Sequence, residues 1–84
     1  MEEEEVIRLD AVYDEELEGV CRRAFVESGK KEIKIGELGK CMSVLSSVRE
    51  GRKDALNAAL DLIAMGIKND TALDAVKRAK KEKL

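Results

Sequence analysis

Residues 33–45, "IKIGELGKCMSVL", change within a few positions from one periodicity to another. Ile33 and Ile35 lie on the same side of Lys34, the two-residue period of an extended segment. Leu38, Cys41, Met42 and Leu45 then recur three and four residues apart, the period of a helix face turned toward a core. The spacing predicts a short strand that runs into a helix from Gly36 to about Arg49, with Val48 extending the same stripe. This junction decides the fold because a similar one recurs downstream. The order helix, glycine, Ile-Lys step, helix is met at Gly29 to Ile35 and again at Gly66 to Lys68.

Upstream, "KKEIKI" (30–35) is too short and too alternating for a helix, and Ile33 and Ile35 are expected to share a face opposite Glu32 and Lys34. Before it, Leu17, Val20, Cys21, Ala24 and Phe25 form one helical stripe. Asp14 is placed to cap that helix, Glu15 and Glu16 suit its positive end, and Gly29 suits its stop. "VIRLDAV" (6–12) alternates Ile7, Leu9 and Ala11 against Arg8 and Asp10, as a strand does, and "MEEEE" repels itself and should fray. Downstream, "REGRKD" (49–54) interrupts the periodicity, with a continuous helix bent at Gly51 as the other reading. "KDALNAALDLIAM" (53–65) is apolar enough to be the central helix. "GIKND" (66–70) supplies a stop and a cap at Asn69 or Asp70. "TALDAVKRAKKEKL" follows as a helix with Leu73, Val76 and Ala79 inward. The expected fold is mainly α, a single four-helix domain over residues 1–84 with one or two very short β segments.

The 84 residues include one phenylalanine, one tyrosine and no tryptophan, so the core must be aliphatic, and a chain this short gains stability from dimerisation or partner docking. The net charge of −2 hides an asymmetry. Residues 1–29 hold ten acids and three bases, whereas residues 30–84 hold eight acids and thirteen bases. Opposite ends of this kind attract within or between molecules, or serve simply as solvated faces. No apolar run approaches the roughly 20 residues that cross a bilayer, and the acidic start is unlike a signal peptide, so an intracellular, cytoplasmic protein without a membrane partner is expected. With no histidine and no Cys-x-x-Cys pair, a closed zinc site lacks its usual ligands. Cys21 and Cys41 fall on apolar helix faces as small buried hydrophobes, a disulfide being the other reading. No glycine-rich phosphate loop, no nucleophile beside a base and no acid pair in apolar surroundings is present. No enzyme activity, catalytic residue, metal, cofactor or small-molecule substrate is therefore expected.

Ala24-Phe25, Ile33 and "ELGKCM" (37–42) with Leu45 resemble the end of an EF-hand loop and its exiting helix. In that family the isoleucine pairs with its counterpart in a second loop, here Ile67, and a glutamate in the position of Glu37 closes on calcium. Thr71 stands where the second glutamate would be. Calcium needs six to eight oxygens, yet the ligand positions hold Val26, Ser28 and Lys30, and the glycine position holds Lys31. The resemblance thus implies a calcium-independent pair of helix-loop-helix units that grips a partner helix. "VIRLDAVYDEELEGVCRRAFVESG" (6–29) is also similar to the strand and first helix of ribbon-helix-helix repressors, which implies a dimer laying Arg8 in the DNA major groove. The acids at Glu2 to Glu5 and Asp10 oppose phosphate contact there. A histone-like resemblance requires residues 36–65 to be one long helix, and "MGIKNDTAL" (65–73) resembles the turn of ubiquitin-binding three-helix domains.

The function expected is non-catalytic recognition. Phe25, Leu38, Met42, Leu45, Leu60 and Ile63 form either a shared core or a groove that opens for an amphipathic partner helix, and Met42 and Met65 bring adaptable side chains to such a groove. Self-association is the other protein partner. The alternative is a dimeric DNA-binding regulator that uses Arg8 together with Lys77, Arg78, Lys80 and Lys81.

Overall fold

The computed structural model describes residues 5–9 and 16–81. The expected fraying of residues 1–4, the Asp14 cap and the strand positions Asp10, Ala11 and Val12 lie outside them. The order of elements is β1 (Val6–Arg8), α1 (Leu17–Glu27), β2 (Glu32–Lys34), α2 (Ile35–Arg49), α3 (Ala55–Ala64) and α4 (Asn69–Lys81). The mainly α, four-helix fold with short β segments is thus what the chain forms.

β1 and β2 pair antiparallel, with Val6 opposite Lys34, Ile7 opposite Ile33 and Arg8 opposite Glu32. The ladder extends one step at each end, where the Leu9 N–H donates to the Lys31 carbonyl and the Ile35 N–H to the Glu5 carbonyl. Ile7 and Leu9 lean on the core while Val6 and Arg8 stay exposed, the alternation expected of the first strand. The partner of Ile33 is therefore Ile7, not Ile67, although Ile67 is itself buried. Ile35 does not share the buried face of Ile33. The Glu37 carboxylate accepts the Lys34 N–H at 3.0 Å, which starts α2 one residue before Gly36 and turns Ile35 outward.

Three helices end in the same way. At Ser28, Glu50 and Met65 the next residue is a glycine with positive φ, and the residue after that donates its N–H to the carbonyl five positions back: Lys30 to Phe25, Arg52 to Ser47 and Ile67 to Leu62. The stop at Gly51 divides 36–65 into α2 and α3, so the single long helix of the histone-like reading is absent. The third stop also carries an apolar contact between its ends, because Leu62 and Ile67 are both buried. Gly66 sits at φ +98, and a Cβ there would meet the Lys30 side chain at 3.3 Å, a flexible group able to give way. The cost of Gly66→Ala is thus expected to be conformational, about 1–2 kcal/mol. Urea denaturation should show it as a lower midpoint with unchanged slope.

Asp54 caps α3 by accepting the Asn57 N–H at 2.8 Å, so this helix is shorter than the expected 53–65. α4 begins at Asn69, and its first carbonyl is that of Lys68, which accepts the Ala72 N–H. Asn69 and Asp70 lie inside the first turn and do not form the expected cap. Lys68 also donates its N–H to Ser28 Oγ at 3.0 Å, so the α1–β2 and α3–α4 loops lie side by side.

One core joins all four helices. Val20, Cys21, Ala24 and Phe25 from α1 meet Leu38, Cys41, Leu45 and Val48 from α2, the faces expected from their spacing. From α3 and α4, however, the buried residues are Ala58, Ala59, Leu62, Ala72, Ala75, Val76 and Ala79. Leu60 and Leu73, expected inward, point out. α4 packs on α1, α2 and α3 at once, and a helix among three neighbours approaches them closely only on a face of small side chains.

Candidate functional site

The residues expected to line a groove are the ones that close the core. Phe25 and Leu45 are fully buried and Leu38 nearly so. Met42 and Met65 are half-buried and stand apart. Met42 borders a shallow depression at the start of α1 with Glu16, Leu17, Glu18 and Arg49, whereas Met65 lies at the loop end, where Ser28 meets Lys68. Ile63 is half-buried against the core.

Among the described residues, large exposed apolar side chains lie at Val6 and Ile35, where β1 and the start of α2 meet, and on α3 and α4. Leu56 is 67% exposed, Leu60 53% and Leu73 47%. Leu56 and Leu60 are one helical turn apart and make a ridge on α3. Leu73 and Lys80, two turns apart on α4, share a side. Lys80 lines a depression of about 360 Å³ with Asp54 and Ala55, so this side of α4 faces α3. The opposite side faces α1, where Thr71, Asp74 and Arg78 meet Val20, Arg23 and Glu27. Leu56 and Leu60 thus form an exposed ridge on α3, and Leu73 is exposed on the side of α4 that carries Lys80. The sequence holds the signal as a surplus: α3 carries two apolar stripes, Leu56–Leu60–Ile63 and Ala55–Ala58–Ala59–Leu62, and one packing partner uses one stripe.

Charge frames this face. Lys53 pairs with Asp61, and Arg52 pairs with Glu50 at 2.6 Å. Lys77 and Lys80 are exposed on the Leu73 side of α4, and no described carboxylate pairs with either. Arg78 is turned to the other side, with its Nε 2.8 Å from Asp74. Arg8 lies on the sheet at the start of α2, while Lys80 lies beyond its end at Val48 and Gly51. A 15-residue helix separates them by about 20 Å. The cations named for DNA contact, Arg8, Lys77, Arg78 and Lys80, thus point three ways, and the side chain of Lys81 is outside the described set.

Two positions singled out for calcium have other work. Glu37 holds the α2 N-terminus, and Ser28 Oγ accepts the Lys68 N–H. Among the described residues no three His, Cys, Asp or Glu side chains are grouped to hold a metal ion, and no helix is long and apolar enough to cross a membrane. Cys21 and Cys41 are free, fully buried thiols, and the hydrogen bond that the Cys21 S–H donates to Cys41, followed by burial, pushes the Cys21 thiol well above its ordinary value. A thiol held protonated is a poor nucleophile, so Cys21 is placed for packing rather than for chemistry. No protein-family model matches the chain, and no curated protein or solved structure is significantly similar to it.

Proposed function

We propose that the chain is a calcium-independent, non-catalytic binding module that receives an amphipathic helix of a partner protein on its α3–α4 face. One observation carries this reading: Leu56 and Leu60 stand exposed one turn apart on α3 and Leu73 stands exposed on α4, while alanines fill core positions of the same helices. Burying large side chains on a partner recovers about 1.5–3 kcal/mol each, and grouped exposed leucines are the surface feature that marks interaction sites. A helix laid along the α3 ridge would contact Leu56 and Leu60 with leucines of its own at three- and four-residue spacing.

Anisotropy titration of a dye-labelled, leucine-striped helical peptide with an uncharged polar face tests this. Leu60→Glu is expected to weaken binding at least tenfold, as a charge facing an apolar anchor does. The variant should melt as the parent does, because Leu60 is outside the core. Absence of binding by the parent, or equal binding by the variant, defeats the reading.

A further inference from the structure

The two-stranded ribbon leaves one edge of its backbone unused. In its ladder the hydrogen-bonded pairs are Glu5–Ile35, Ile7–Ile33 and Leu9–Lys31, so the N–H and C=O of Val6 and Arg8 turn away from β2. Among the described residues nothing accepts from or donates to these backbone groups, and the sheet ends there. On the outer side of β2, by contrast, the Glu37 carboxylate already takes the Lys34 N–H. Val6 is 49% exposed, and Ile7 and Leu9 are only half-buried, so the side chains at this edge also lack a neighbour on one side. The charge beside the edge is acidic. Residues 2–10 hold five acids, Glu2 to Glu5 and Asp10, and one base, Arg8, which stands opposite Glu32. Lys31 and Lys34 are on the β2 side of the ladder, away from the edge, and the Lys30 side chain lies beside Gly66. With those three lysines and Glu32 counted, the ribbon still holds six acids against four bases.

We propose that this edge takes a basic, extended segment of a partner protein as a third strand. The segment's backbone pairs with Val6 and Arg8, and its alternate apolar side chains cover the open flank of Ile7 and Leu9. Lys or Arg residues at its ends meet the acids that flank β1. A third strand also strengthens a ribbon whose two strands of three residues are marginal by themselves. Charge selects among occupants. A second copy of β1 would bring its own Glu2 to Glu5 and Asp10 against the same acids, and the phosphates of a nucleic acid or a lipid surface would be repelled by them. The edge lies at the start of α2, whereas α3 begins beyond its end, so this site is independent of the α3 ridge.

A dye-labelled peptide of about ten residues, with a valine–threonine alternation at its centre and lysines at both ends, tests the assignment by anisotropy. The parent protein is expected to bind it about tenfold more tightly at low salt than the same peptide ending in glutamates, with the difference shrinking in 0.5 M salt. Val6→Pro removes the outward N–H and none of the ladder bonds to β2, which run through Glu5, Ile7 and Leu9. The variant is expected to melt as the parent does and to bind about tenfold more weakly. In the parent, amide exchange followed by NMR should slow at Val6 and Arg8 when the peptide binds. Unchanged exchange at both amides, or equal binding by Val6→Pro, shows that the acids hold the peptide without strand pairing and overturns the proposal. Failure of the parent to bind the lysine-ended peptide overturns it too. A dimer in sedimentation that Val6→Pro dissociates shows instead that a second copy covers the edge, with the same consequence. None of these outcomes bears on the leucine-striped helix, whose binding is read with Leu60→Glu.

Discussion

Phe25→Ala is expected to remove about 3–5 kcal/mol of folding stability, the range for deleting a fully buried phenylalanine. Phe25 is the only phenylalanine in the chain and is completely enclosed, in a core otherwise built from aliphatic side chains, alanines and two thiols. It lies three residues before the C-cap of α1, and its carbonyl accepts the Lys30 N–H that closes the helix, so the side chain anchors the same turn that leads into β2. A domain of this size holds roughly 5–10 kcal/mol in all, so the variant should be largely unfolded near body temperature. Differential scanning calorimetry checks this: a fall in Tm of more than about 15 °C is expected. Phe25→Leu, which keeps most of the volume, should cost less than about 1.5 kcal/mol. Comparable melting of Phe25→Ala and parent would mean that the helices do not depend on one joint core.

The halves of the chain differ in how openly they state their packing. In α1 and α2 the large apolar residues recur on a single stripe, so Phe25, Leu38, Cys41 and Leu45 could be assigned inward from spacing alone, and each is buried. In α3 and α4 the large and the small apolar residues occupy different stripes. Hydrophobicity favours the leucines, whereas close approach of α4 to three neighbours favours the alanines, and the geometry of the assembly decides between them. That choice depends on distances between helices that no local window contains. The same competition decides Leu60 and Leu73: Phe25, Leu38, Leu45 and Leu60 are expected together as a shared core or a groove and Leu73 inward, and the first three are buried while both of the others are exposed. Glycine stops were legible at Gly29 and Gly66, because a positive φ has few other tenants. Partners of the short strands were not, since Ile33 alternates equally well beside Ile7 or Ile67, and only the folded path of α1 brings Ile7 near.

Stability is expected to fall above about pH 8.5, by about 2 kcal/mol at pH 10, on account of Cys21. The Cys21 S–H donates a hydrogen bond to the Cys41 sulfur and lies fully buried between α1 and α2. The neighbouring thiol, exclusion of water and the nearby Glu18 carboxylate all raise its pKa in the folded chain. The unfolded chain releases this proton near the ordinary thiol pKa of about 8.5, while the native chain keeps it. Above that pH the unfolded state therefore binds fewer protons than the native state, and the stability falls by about 1.4 kcal/mol per pH unit. Below that pH both states hold the proton and the contribution is complete. Urea midpoints measured from pH 7 to 10 should trace this curve, and Cys21→Ala should flatten it while lowering the plateau by the loss of a small buried group. Native protein should also resist thiol-directed reagents until urea opens it, because both thiols are fully buried in the folded chain. An identical slope in Cys21→Ala would assign the alkaline loss to other groups and would leave the buried thiols a role in packing alone.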